Sequence, residues 1–132
     1  DEGTTTNLPV VLAKVPDVYD NLPLHAAIGY QAPDELILSL LECFPEATQV
    51  HGSDDWIPLH IAAMWGVSTT VMEALIRAYP QALDDTGEAG IKGRTPRHFS
   101  RRFPHNTALL ERSTADWIQL IMEQQQQQQE NE

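Results

Sequence analysis

Leu22-Pro23-Leu24-His25 returns as Ile57-Pro58-Leu59-His60 after 35 residues, and the correspondence runs on at the same offset. Ala27 meets Ala62, Leu40 meets Leu75, Pro45 meets Pro80 and Ala47 meets Ala82, with similar pairs between them such as Tyr30 with Trp65 and Phe44 with Tyr79. A third copy opens at Thr95-Pro96-Arg97-His98, 38 residues after the second, and its three extra residues fit in the glycine-rich stretch 87–93. Before the first full copy, Leu8, Val11, Leu12, Val15 and Pro16 match Ile37, Leu40, Leu41, Phe44 and Pro45 at an offset of 29. A repeat of this length is one supersecondary unit. It cannot bury its apolar face alone, so neighbouring units must stack into a continuous core.

Each unit reads as two helices. The first is short, from Pro23 to about Gly29 and from Pro58 to about Trp65. Proline suits the first helical position, where its missing N–H costs nothing. The second is longer: apolar residues at 36, 37, 40, 41 and 44, and again at 71, 72, 75, 76 and 79, form one stripe of period 3.6. Pro33 opens one of these helices, Ser68 or Thr69 caps the other, and Pro45 and Pro80 stop them. Near the C-terminus, Ser113 and Asp116 form a capping box for a last helix with Trp117, Ile118, Ile121 and Met122 on one stripe. Gln124 to Gln129 either extend that helix or fray into a tail. The pattern predicts about seven helices in antiparallel pairs and no extended sheet.

Leu59-His60-Ile61-Ala62-Ala63 and its two partners resemble the ankyrin repeat, a unit of about 33 residues with a Thr-Pro-Leu-His-x-Ala core. The resemblance covers residues 8–105. It implies an all-α fold: an ankyrin-type helical repeat solenoid of stacked antiparallel helix pairs with projecting hairpin loops. The array would span 1–123, with a partial unit at 8–20, units at 21–54 and 55–93, and a divergent capping unit with the last helix at 94–123; residues 124–132 form a Gln-rich tail. The chain departs from the family where Leu22 and Ile57 replace the capping threonine, where Asp55 replaces the hairpin glycine, and where Arg97 and Ser100 replace leucine and alanine in the last unit. A polar last unit is expected, because its outer face meets water. The resemblance further implies that His25, His60 and His98 tie neighbouring loops rather than bind metal.

The same resemblance supplies the candidate binding residues. The two residues after the core of each unit would face a concave groove: Gly29 and Tyr30, Met64 and Trp65, Arg102 and Phe103. Trp56 falls at the hairpin position. Tyrosine, tryptophan and arginine are enriched in binding hot spots, so Tyr30, Trp56, Met64, Trp65, Arg102 and Phe103 are the expected partner-binding set. The competing reading is that the aromatics pack between units. Arg94, Arg97, Arg101 and Arg102 either grip an acidic partner or neutralise Asp84, Asp85 and Glu88 in the adjacent loop.

Charge narrows the partner class. The net charge is −11, and residues 1–91 carry 14 acids against two bases, whereas residues 92–112 carry six bases and one acid. Nucleic acid and anionic lipid are disfavoured. The longest apolar runs are four or five residues, far from the roughly 20 of a membrane span. The single cysteine, Cys43, makes no internal disulfide and is expected to be a small packed or half-exposed side chain. No nucleophile elbow, P-loop, metalloprotease helix or dinucleotide fingerprint is present. These points favour a non-catalytic scaffold or adaptor without cofactor or metal, intracellular and cytoplasmic, that binds a protein. A small structural subunit of a larger assembly and an acidic competitive inhibitor are the alternatives. The chain starts at Asp1 rather than at methionine, as a processed form or a piece of a longer protein would.

Overall fold

In a computed structural model, the described residues are 12–17, 20–52, 56–86 and 94–130, and they form an all-helical structure with no strand. There are six α-helices among them: α1 (Pro23–Gly29), α2 (Asp34–Cys43), α3 (Pro58–Trp65), α4 (Thr69–Ala78), α5 (Pro104–Glu111) and α6 (Thr114–Glu130). Three 3₁₀ segments, Pro45–Gln49, Pro80–Asp84 and Pro96–Phe99, each begin on a proline. Of the earlier expectations, Leu8, Val11, Asp55 and the stretch 87–93 lie outside the described residues.

The 35-residue phase holds at the level of the backbone. Proline starts α1 and α3 at equivalent places, and the residue before each is extended. After α2 and α4 the chain tightens into 3₁₀ geometry at Pro45 and Pro80, because proline lacks the N–H that would continue the α-helical ladder. The loop bond from the Asp17 N–H to Asn21 O recurs from the Gly52 N–H to Trp56 O, both 2.9 Å. Ser68 caps α4 by accepting from the Val71 N–H at 3.2 Å. At α6, Ser113 Oγ accepts from the Asp116 N–H at 3.1 Å.

Packing follows the phase. α1 lies against α2 and α3, α2 against α4, and α3 against α4; α5 packs on α4, while α6 covers α4 and the Pro80–Asp84 segment. One apolar cluster runs through all of these, from Leu22, Leu24 and Ile28 through Leu59, Ala62, Met72 and Leu75 to Leu110 and Trp117. Position in the stack decides how much each stripe buries. Val71 of α4 is 0% exposed, but its counterpart Leu36 of α2 is 49% exposed. Beyond its own unit's first helix, α4 packs against α2 on one side and α5 and α6 on the other, whereas α2 packs against α4 on one side. Leu12 and Val15, expected on a buried stripe, are exposed, and Ala13 is the buried residue there.

Buried histidines join the layers. His25 Nδ1 accepts from the Leu22 N–H at 3.0 Å, and its Nε2 donates to Val50 O at 2.9 Å. His60 repeats this, with the Ile57 N–H on Nδ1 at 3.3 Å and Arg94 O on Nε2 at 2.9 Å. Each imidazole thereby satisfies the N–H of the residue before its helix, the half of a capping box that the third helical residue supplies, while Leu22 and Ile57 themselves are buried in the core. The donor–acceptor pattern requires the neutral ring. Burial is the main cause that holds both below the ordinary imidazole value, against hydrogen bonds to Val50 and Arg94 that work the other way. His98 differs from the expectation for it: it is exposed and packs edge-on against Phe99.

The third unit departs furthest. Its first helix shrinks to the 3₁₀ segment Pro96–Phe99. Pro104 forces Phe103 into an extended conformation, φ −129° and ψ 107°, which forbids continuation of a helix across it. Arg97, at a position where leucine would fill the core, reaches Asp84 through Nε at 3.0 Å. Its Nη1 donates to Leu110 O and Arg112 O, each at 2.7 Å, and Nη2 donates to Thr114 Oγ1 at 3.2 Å. A guanidinium here satisfies the carbonyls at the end of α5 and sets the turn into α6. The Thr114 hydroxyl and then Arg97 hold the Asp84 carboxyl below its usual range.

The last helix runs unbroken through the glutamines to Glu130, so the segment 124–130 is helix rather than frayed tail. Its buried side is not quite the expected one. Trp117 is buried and Leu120 packs on the core, Ile118 and Ile121 are half-buried, and Met122 is exposed. Trp117 donates through Nε1 to Leu109 O at 3.1 Å, and the guanidiniums of Arg77 and Arg112 lie over its ring at 5.5 and 4.9 Å. Such contacts reward a desolvated cation. Arg77 also donates to the Gln124 side chain, fastening the first glutamine of the run to α4. Cys43 is half-buried, as expected of a small packed thiol.

Two outcomes follow. Leu75→Ala removes a fully enclosed side chain and is expected to cost about 2–5 kcal/mol. Leu40, also expected in the core, is half-buried and should cost less, and Leu36→Ala less again; denaturant midpoints of the three variants test the ranking. Stability should also fall with acid. Both histidines take up protons more readily unfolded than folded, so their contribution is complete above the ordinary imidazole value of about 6.5 and is lost as pH falls below it. Melting temperatures from pH 8 to pH 5 should decline, and the double variant His25→Gln/His60→Gln should flatten that decline.

Candidate functional site

The turn after α3 is where the candidate binding residues meet. Gly66 ends α3 at φ +86° and ψ 58°, in the left-handed region where a side chain is strained. Its Cα faces the Phe103 ring so closely that an added Cβ would stand 2.6–2.8 Å from three ring carbons. Glycine is thus required twice, by the dihedral and by the neighbour.

The carbonyls at the end of α3 would be unsatisfied without further donors. Here neighbouring layers supply them. Gln31, itself left-handed at φ 59°, donates from Nε2 to Trp65 O at 3.4 Å. From the other side, Arg102 Nε donates to Met64 O at 2.8 Å, and His105 Nε2 and Asn106 Nδ2 donate to Val67 O at 3.0 and 2.9 Å. Ser68 adds a tie by donating to Asp34 Oδ2 at 2.7 Å. The turn 64–68 is therefore held by side chains from the units before and after it, and its backbone has little freedom.

On this fixed turn the Trp65 ring stands 46% exposed, and Tyr30, on the neighbouring turn, is 88% exposed. Between the turns lies an open cleft of about 180 Å³, lined by Gln31, Ala32, Asp34, Ile37, Trp65, Gly66, Val67 and Ser68. The cleft is small and partly polar, a notch beside Trp65 rather than a cavity for a whole small molecule.

The other expected binding residues fall differently. Trp56 is 6% exposed, so it cannot reach out from a hairpin tip. Its ring stacks on His60, with centroids 5.6 Å apart and planes 15° apart, and meets the edge of Phe99 at 5.8 Å. It shields the buried imidazole from water, a packing role that its hairpin position in the sequence concealed. Phe103 is half-buried against Gly66 and leads into α5, so it does not repeat the projection of Tyr30 and Trp65. Met64 is half-buried, and its contribution to the turn is the carbonyl that Arg102 holds.

The arginines do not form one free patch. Arg97 is consumed by Asp84 and the α5 carbonyls, which favours neutralisation over partner capture for that residue. Arg94 is half-buried and contributes its carbonyl to His60. Arg101 is 91% exposed in its side chain and only loosely near Glu111, at 3.8 Å. Arg102 is exposed, with Nε tethered and no ion pair among the described residues.

Sequence reading missed Gln31, Gly66, His105 and Asn106. Gly66 carries a signal, since glycine after a predicted helix end marks a left-handed cap. The other three act through single side-chain bonds to carbonyls far along the chain, which no spacing announces. Among the described residues, no group of three or more His, Cys, Asp or Glu side chains is placed to hold a metal ion, and no helix is long and apolar enough to cross a membrane. Comparison with protein-family models, with curated proteins and with solved structures finds no match to this chain.

The geometry at Gly66 is directly testable. Gly66→Ala must strain the left-handed turn and displace Phe103, and should cost about 1–3 kcal/mol by chemical denaturation. An unchanged midpoint would contradict the packing described for this turn.

Proposed function

We propose that the chain is an ankyrin-type helical repeat array that acts as a non-catalytic protein-binding scaffold, docking its partner across Tyr30 and Trp65. The observation that carries this reading is the pairing of large exposed aromatics with a turn already fixed by the units on either side. Tyr30 and Trp65 offer exposed aromatic surface of the residue types that are enriched in binding hot spots. A rigid tyrosine or tryptophan loses little entropy when a partner covers it, and so returns most of its contact energy as affinity. The 35-residue phase, the paired helices and the histidine ties support the repeat-array part of the reading.

The burial of Trp56 narrows the docking set to Tyr30, Trp65 and the adjoining Arg102, with Met64 and Phe103 as supports. The acidic body disfavours polyphosphate partners and leaves protein as the fitting class. The polar notch, of about 180 Å³, is too small to enclose a drug-sized ligand, which normally needs about 300–1,000 Å³.

Trp65→Ala is expected to weaken partner binding by at least about 2 kcal/mol, roughly thirtyfold, because hot spots lose at least that much on truncation. The melting temperature should fall much less than for Leu75→Ala, since the ring is half in water. Titration calorimetry with the purified partner, alongside thermal melts, separates the effects. A variant that unfolds, or that folds and binds as tightly as the parent, would refute the assignment.

A further inference from the structure

The row built on Tyr30 and Trp65 has charged ends of opposite sign, and each end is tethered in the same way. At one end, Arg102 spends Nε on Met64 O at 2.8 Å. Its two Nη nitrogens have no hydrogen-bond partner among the described residues, and the residue is exposed. The tether fixes the guanidinium plane and leaves the outer pair of donors as a fork, which suits a carboxylate in geometry and charge. Arg101 stands beside it, almost wholly in water. At the other end, Asp34 gives Oδ2 to the Ser68 hydroxyl at 2.7 Å and lines the notch beside Trp65. Its second carboxylate oxygen and the neighbouring exposed Glu35 have no ion pair among the described residues. Trp65 lies between the ends, because Gln31 binds its carbonyl from the Asp34 side while Arg102 binds Met64 O from the other.

We infer that the docked segment is a peptide stretch of matching polarity: a bulky apolar side chain that seats between Tyr30 and Trp65, acidic residues where it passes Arg101 and Arg102, and a basic residue where it passes Asp34 and Glu35. This rests on the reading of Tyr30 and Trp65 as the docking face and adds the charge order of the partner. The asymmetry selects one orientation of the segment, since the reversed one sets acid against Asp34 and Glu35 and base against the arginines. Acid side chains, rather than phosphates, are the fitting anions, because a polyanion would bring its charge close to a body of net −11.

The test is selection of a random linear twelve-residue peptide library displayed on phage, against the full chain and against Trp65→Ala as counter-target. The expected result is a consensus with a large apolar residue flanked by Asp or Glu on one side and Lys or Arg on the other. A synthetic peptide of that consensus should lose at least tenfold in affinity for Arg101→Glu/Arg102→Glu and regain it when its acids are exchanged for lysine. Arg101→Glu alone, which leaves the Met64 tether in place, should give a smaller loss of the same sign. A consensus that depends on Trp65 but lacks acids, or whose acids are indifferent to both arginine variants, overturns the charge order and leaves the docking face standing. Failure to enrich any peptide that depends on Trp65 overturns the docking face and the charge order with it.

Discussion

A neutral imidazole between two backbone groups is the contact on which the layering depends. His25 and His60 each accept from the N–H that precedes their own helix and donate to a carbonyl in the next loop. Two polar groups that the short apolar helices would otherwise bury unsatisfied are paired by one side chain. An unsatisfied buried donor or acceptor costs about 1–3 kcal/mol, so a ring that serves two at once removes a penalty comparable to a buried leucine. The same ring cannot be exchanged for lysine or protonated in place, because Nδ1 must remain an acceptor. Trp56, stacked over His60, keeps it dry and neutral. Protonation of either ring would remove the acceptor for the N–H before its helix.

From that tie the inequality of the units follows. The α3–α4 unit has neighbours on both faces, and its apolar stripe is closed. Its end carbonyls are also served from both directions, by Gln31 on one side and by Arg102, His105 and Asn106 on the other. The unit before it leaves Leu36 in water, and the unit after it surrenders a whole helix turn to 3₁₀ geometry. Rigidity is concentrated in the middle, and the middle is where Trp65 projects. An exposed tryptophan on a fraying end would lose its advantage to ordering entropy; on α3 the ordering has been supplied by folding.

Much of the helical arrangement was legible in the sequence because it rests on proline and on period. Pro23, Pro58, Pro45 and Pro80 mark starts and stops whatever their surroundings, and α1 to α4 begin and end within a residue of the expected bounds. The errors share a different character. Trp56 was placed by its hairpin position, but its ring had a buried imidazole to cover. Phe103 was placed by counting from Thr95, and Pro104 broke the count by denying it a helical backbone. Arg97 read either as a grip for an acidic partner or as a neutraliser of Asp84; it pairs with Asp84, and the carbonyls it also holds at the end of α5 had no sequence signal. The glutamine run left helix and tail open; the Arg77 contact to Gln124 and the continuous α6 ladder decide for helix. At Arg97 and Gln124 a contact between residues distant in sequence decided the outcome, and such contacts leave no periodic trace.

The layer after α4 connects stability to the charge around the exposed aromatics. The layer after α4 exchanges apolar side chains for charge. The exchange here is made with arginine: Arg97 inward to the α5 carbonyls, Arg112 over Trp117, and Arg101 and Arg102 outward. The body it closes is acidic, so the seam between the last layer and the one before it is also a boundary of electrostatic sign. Trp65 lies on that boundary, with Asp34 behind it and Arg102 ahead. The bonds that hold the end of α5 and the charge boundary beside Trp65 therefore have one origin, the arginines of residues 94–112 set against an acidic body.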